Sequence, residues 1–152
     1  KMKFCIATDS HGSFSLLCRM LEREQPDCLL FLGDGAEEAQ RAAKLLGTAC
    51  LCVAGNCDLC SPEPPARTLE QGGVTLFMAH GHRFGVKQGL ESFAQAACQA
   101  GASVGLFGHT HRPYAKQWGT VLLCNPGSLR DGVYLRAEAK DGQFHYQPER
   151  MD

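Results

Sequence analysis

The chain has 152 residues, 44% of them apolar and 20% charged, proportions ordinary for a globular protein in water. Lys and Arg total 15 against 16 Asp and Glu, a balance that argues against a nucleic-acid footprint or an anionic membrane surface. No apolar run approaches the roughly 20 residues of a membrane span, and no secretory leader precedes the first strand, so a cytoplasmic, reducing setting is expected.

The predicted elements begin with alternation. A strand at about 3–8 runs into Asp9-Ser10-His11, and a helix follows over about 14–24. Ser13 or Ser15 can cap that helix, Leu16, Leu17, Met20 and Leu21 form its apolar stripe, and Pro26 stops it. A strand at about 28–32 leads to Asp34 and a helix over about 36–46. Glu37 and Glu38 suit the positive end of that helix, and Gly47 suits its stop. A third strand at about 49–54 ends at Asn56, completing β-α-β-α-β, the signature of a parallel sheet with right-handed crossovers.

A proline-rich loop at about 58–66 precedes a hairpin across Gly72-Gly73, whose second strand ends at His80. A helix over about 87–100 carries Leu90, Phe93, Ala94 and Ala97 at helical spacing, and Gly101 ends it. The run SVGLF leads to His109-Thr110-His111. Short β runs at about 113–118, 121–124, 132–138 and 143–147 make the second half richer in antiparallel pairing. One α/β domain over 2–152 is expected.

Five apolar runs of strand length therefore end at Asp, Asn or His. Open α/β sheets place ligand sites beyond the carboxyl ends of their strands, and these residue types bind borderline or hard divalent metals. Singly, each has a plainer reading. Asp9 can cap a helix, His80 and His82 can be structural histidines, and His145 reads as surface. The nine cysteines are odd in number, and Cys5, Cys28, Cys50, Cys52 and Cys124 sit inside apolar runs as small buried residues. Cys57 and Cys60 form a CxxC, but no second pair completes a zinc site, and Pro62, Pro64 and Pro65 oppose a redox helix start. Tyr114 and Trp118 leave both a contact surface for a homo-oligomer and ordinary packing open.

Taken together, Asp9-x-His11, Gly33-Asp34, Gly55-Asn56, His80 and Gly108-His109-Thr110-His111 occur in an order that resembles the calcineurin-like metallophosphoesterase superfamily. GNCD at 55–58, HGH at 80–82 and NPGS at 125–128 are similar to its small single-domain bacterial and archaeal phosphodiesterase branch. The resemblance implies layered mixed β-sheets flanked by helices. It also implies hydrolysis of a small phosphodiester by a metal-bound hydroxide at a binuclear metal centre. Asp34 would bridge two divalent ions, with Asp9, His11 and His111 on one and Asn56, His80 and His109 on the other. The last three are also the residues the resemblance marks as catalytic. Cys57, Asp58 and His82 would lie behind the ligands or against substrate. Oxygen and imidazole without thiolate suit Mn²⁺ first, with Fe²⁺, Zn²⁺, Co²⁺ or Ni²⁺ as alternatives.

One position departs from the wider family, where a proton-donating His often follows the Asn; here it is Cys57. A thiol is a poor acid beside an imidazolium, so esters with poor leaving groups are expected to be weak substrates. A phosphomonoesterase or nucleotide phosphatase on the same site, and a non-catalytic protein-binding scaffold of the same fold, are the alternatives.

Overall fold

Period-two alternation within the strands sets the layering, because each central strand is apolar on both faces. In β1 (Met2–Ala7) of the computed structural model, which describes residues 1–151, Phe4 and Ile6 point one way and Cys5 and Ala7 the other. The chain continues through α1 (Phe14–Glu24), β2 (Cys28–Phe31), α2 (Ala36–Leu46), β3 (Ala49–Cys52), β4 (Ala66–Gln71), β5 (Val74–Ala79) and α3 (Glu91–Gln99). It ends with β6 (Val104–Leu106), β7 (Tyr114–Trp118), β8 (Val121–Asn125), β9 (Val133–Lys140) and β10 (Gln143–Arg150).

Two five-stranded mixed sheets result, in the orders β10-β9-β1-β2-β3 and β4-β5-β6-β8-β7. The predicted parallel start is present, with β1 beside β2 and β2 beside β3. The predicted hairpins also form, β4 with β5, β7 with β8 and β9 with β10. Sequence periodicity did not reveal that β6 lies parallel between β5 and β8, bringing the loop after β6 next to the loop after β5.

Phe4, Ile6, Leu30 and Leu32 of the first sheet meet Leu76, Met78, Val104 and Leu106 of the second in a buried middle layer. Outside the first sheet, Leu17, Met20 and Leu21 of α1 and Ala39, Ala42 and Ala43 of α2 cover Cys5, Ala7, Leu29 and Phe31. Phe93 and Ala97 of α3 cover Phe77, Ala79 and Leu123 on the far side. Four of the cysteines expected inside, Cys5, Cys28, Cys52 and Cys124, are buried; Cys50 is half-buried, its sulfur 3.5 Å from that of Cys52.

Helix ends depart from the expectations in informative ways. Ser13 takes the cap position of α1 but makes no side-chain capping bond. The third helix starts later than expected, at Glu91, because Gly81 and Gly85 adopt φ of 111° and 61° around a short 3-10 turn at His82–Phe84. The N-terminus of α2 begins at Gly35, which has no side chain to cap it. Asp58, from the loop after β3, supplies the cap instead. Its carboxylate accepts hydrogen bonds from the N–H groups of Asp34 (2.7 Å), Gly35 (3.0 Å), Ala36 (3.2 Å) and Gly55 (2.8 Å). Four orphan donors from two loops converge on one side chain. Glu38 lies in the first turn of α2, as expected, and also reaches outside the helix: it accepts from Ser10 Oγ and from Gly12 N–H at 2.9 Å.

The loops at the strand ends carry unusual backbone. Asp9 (φ 54°), His11 (42°), Asp34 (59°), His109 (70°) and His111 (63°) all adopt the left-handed region. Each such non-glycine residue costs roughly 1–2 kcal/mol.

Two outcomes follow in apoprotein unfolded by denaturant. His109→Gly should be more stable than His109→Ala by about 1 kcal/mol, since both lose the ring but only glycine accepts φ 70° without cost. Equal midpoints would show that the loop relaxes out of that conformation. Asp58→Ala should lower stability by about 2 kcal/mol or more, because it strands several N–H groups at once. A loss within about 0.5 kcal/mol, the size of an ordinary surface change, would mean that water replaces the clamp.

Candidate metal centre

Two carboxylates lie at the bottom of the loop cluster, Asp9 fully buried and Asp34 4% exposed. Both face imidazoles. Asp9 Oδ1 is 3.5 Å from His11 Nε2, 3.7 Å from His80 Nε2 and 3.1 Å from His111 Nε2. Asp34 Oδ2 is 3.4 Å from His80 Nε2 and 3.9 Å from His11 Nε2. His109 Nδ1 stands 3.2 Å from His80 Nε2. Asp9, His11 and His111 form one group with metal-binding geometry, and Asp9, Asp34 and His80 form a second that shares Asp9 with it. Thus both Asp9 and Asp34 touch imidazoles from the two predicted ligand sets.

Backbone and side chains hold these groups in place. Leu32 O lies 2.7 Å from His80 Nδ1. A carbonyl only accepts, so Nδ1 carries a proton and Nε2 is the nitrogen turned toward the carboxylates. Thr8 Oγ1 donates to Asp9 Oδ2 at 2.6 Å and the His109 N–H to the same oxygen at 3.1 Å. The Cys57 N–H donates to Asp34 Oδ1 at 2.8 Å. Close approach also fixes two glycines: a Cβ at Gly55 would run into Asp34 Oδ1, and one at Gly108 into Thr8 Oγ1.

Charge balance follows from this packing. Burial alone would raise the Asp34 pKa, but hydrogen bonds from His80 and Cys57 and the His80 charge hold it well below the usual carboxylate range. Burial pulls His80 down, yet Asp34 and Asp9 outweigh it and raise its pKa above the ordinary imidazole value. His82 and His109 go the other way, lowered by desolvation and then by the positive His80. For Cys57, desolvation and the Asp34, Asp58 and Asp9 carboxylates all push the thiol up.

Of the seven expected ligands, six converge. Asn56 stands at the rim, exposed, with its amide donating to Cys57 Sγ at 3.5 Å. Cys57 and Cys60 are both exposed in a turn, with no helix following. His82 comes close, its ring 5.4 Å from that of His80 and 6.1 Å from that of His109, and its buried Nδ1 has no partner among the described residues. Asp58 does not touch the imidazoles; its carboxylate is the loop clamp already described. His145 is exposed on β10, as expected.

Four supporting residues were not picked out from the sequence: Thr8, Glu38, Asn125 and Ser128. Asn125 Nδ2 donates to Gly108 O (3.1 Å) and Thr110 Oγ1 (3.0 Å), while Ser128 Oγ donates to Asp9 O (2.8 Å). The NPGS run that contains the last two was the available signal. The donor set suits a pair of divalent cations: two carboxylates and four imidazoles, one of them locked in tautomer, around buried negative charge. An open cleft of about 360 Å³ reaches His11 and Asp34 from solvent.

The calcineurin-like phosphoesterase superfamily domain matches residues 2–140. The phosphodiesterase YfcE of Escherichia coli is 31% identical to this chain over 153 aligned positions, covering 84% of this chain and 79% of that protein. The fold superposes on a predicted phosphoesterase of Streptococcus pneumoniae with TM-score 0.84 and 24% identity, covering 98% of this chain and 89% of that one. It also superposes on Vps29 of Entamoeba histolytica complexed with Zn²⁺, with TM-score 0.82, 19% identity and 99% of each chain covered. The chain therefore belongs to the calcineurin-like phosphoesterase superfamily.

Proposed function

We propose that this chain is a metal-dependent phosphodiesterase that hydrolyses small diesters at a binuclear centre. One observation carries the reading: Asp9 and Asp34 lie together under the imidazoles of His11, His80 and His111 at the strand ends, with the His109 ring against His80 and the backbone strained to put them there. Asp34 would bridge two ions, Asp9, His11 and His111 would complete one set, and Asn56, His80 and His109 the other. Bound there, two divalent ions, Mn²⁺ foremost, lower the pKa of water and neutralise charge on phosphoryl oxygens.

The protein's own part is positional. The His80 ring cannot rotate without breaking its bond to Leu32 O, so its Nε2 stays aimed at the centre. The Cys57 N–H keeps Asp34 Oδ1 occupied, leaving Oδ2 free to face the imidazoles. His11 and His111 are the exposed side, 26% and 42% accessible at the side chain, and substrate enters there. Cys57 sits at the rim, where another relative would present an imidazole. A thiol is a poor acid beside an imidazolium, so it gives little help to a departing alkoxide. Aryl and other stable leaving groups are therefore favoured. A phosphomonoesterase would use the same centre, and a protein-binding scaffold of this fold would not need strained ligands.

Hydrolysis of bis(4-nitrophenyl) phosphate should vanish under exhaustive chelation and return with Mn²⁺ more readily than with Mg²⁺; turnover that survives chelation would contradict the reading. Cys57→Ala should change aryl diester turnover by less than about tenfold, since a stable phenolate needs little protonation. Asn56→Ala should lower it on the order of 100-fold through loss of a ligand. Equal losses in the two variants would give Cys57 a direct role in the reaction.

A further inference from the structure

Beside the cleft over the carboxylates lies a larger one, about 710 Å³, between α2 and the loop 57–63. The two are continuous, for both are lined by Glu37, Arg41, Cys57 and Asp58. A diester has two arms, and any bound with its phosphorus over Asp34 must lay one of them somewhere. This second cleft begins at that point and runs along one face of α2.

Its two walls differ in character. On the loop side stand Leu59, 89% exposed, and Pro62, an apolar wall. On the helix side stand Arg41 and Lys44, both exposed. Their cationic charge is not consumed locally. The Arg41 guanidinium is held 4.9 Å over the Phe14 ring, and among the described residues neither it nor Lys44 forms an ion pair. Two acids of the cleft are already engaged. Glu63 accepts from Gln40 Nε2 at 3.2 Å and lies 3.7 Å from Arg67. Asp58 is saturated by four backbone N–H groups. Glu37 lies in the first turn of α2, where the helix end offsets its charge.

Helix geometry supplies a ruler. Ala36, clamped beside Asp34, opens α2; at 1.5 Å per residue Arg41 lies about 8 Å and Lys44 about 12 Å farther along the axis. That span suits a sugar-sized or aryl-sized group on the apolar loop, followed by a second anion.

We infer that this cleft is a subsite for one ester arm of the substrate, and that Arg41 and Lys44 select arms carrying a second phosphate. The inference rests on the phosphodiesterase reading above and narrows it, from small diesters in general to diesters with an anionic arm. It assigns specificity to α2 and the 57–63 loop and leaves the chemistry to the carboxylate–imidazole cluster.

The test is a binding comparison on Mn²⁺-loaded protein by calorimetric titration, with adenosine 5′-monophosphate and adenosine 3′,5′-bisphosphate as probes. Wild type should bind the bisphosphate roughly tenfold more tightly, the scale of one charge-assisted contact. The preference should fall to about twofold, the statistical value for two equivalent phosphates, in the Arg41→Gln, Lys44→Gln double variant. Lys44→Gln alone, which removes a cation without disturbing the Phe14 contact, should give an intermediate value. Equal affinities in wild type, or a preference that survives in the double variant, would overturn the subsite. Turnover of bis(4-nitrophenyl) phosphate, measured on the same preparations, reports separately on the diesterase reading. That reading can fail while the binding preference stands.

Discussion

Two carboxylates buried side by side are the constraint from which the rest of this site follows. Asp9 and Asp34 sit at the ends of neighbouring parallel strands, almost without solvent, where like charges repel strongly and hydration is lost. Such a pair persists only if positive charge and hydrogen-bond donors surround it. The fold supplies both: His80, its pKa raised by the two carboxylates, from above, and the Cys57 and His109 N–H groups with the Thr8 hydroxyl from the sides. A divalent cation is the group that such an environment accommodates best.

The supporting frame explains why the surrounding residues are as they are. Asp58 ties the loop after β2 to the loop after β3, Glu38 ties the loop after β1 to α2, and Ser128 ties the 125–128 turn to Asp9. Gly55 and Gly108 let backbone come within reach of the carboxylates. Left-handed backbone at five positions of the cluster is a stability cost of several kcal/mol in total. The three apolar layers, one between the sheets and one outside each, offset that cost. Strain concentrated at a cluster of titratable residues, and scarce elsewhere, marks where function has been built into the fold.

Much of this was legible in the sequence because it is local. The β-α-β-α-β start, the Gly72-Gly73 hairpin and the placement of Asp9, Asp34, His80 and His109 at strand ends all follow from apolar runs and their terminating residues. What escaped depends on contacts across the chain. Asp58 was expected behind the ligands or against substrate, but not as a clamp: its carboxylate is filled by N–H groups of residues 22 to 24 positions away and by nearby Gly55, and no sequence spacing reveals such partners. Glu38 is the helix-end charge it looked like, and it also bonds Ser10 and Gly12, which its position in the sequence does not reveal. The late start of α3 escaped because Gly81, Gly85 and Gly89 interrupt a run whose apolar spacing is otherwise helical. The position of β6 between β5 and β8 escaped because sheet order is a tertiary property.

The central claim is that the carboxylate–imidazole cluster holds a pair of metal ions. Counting ions per chain tests it most directly: stripped protein is dialysed to equilibrium against Mn²⁺, and bound metal is measured by elemental analysis for wild type and Asp34→Asn. Two ions per wild-type chain, with both sites weakened in the variant, is the predicted result. No stoichiometric binding by wild type, or an Asp34→Asn protein that still binds two ions with unchanged affinity, would contradict it.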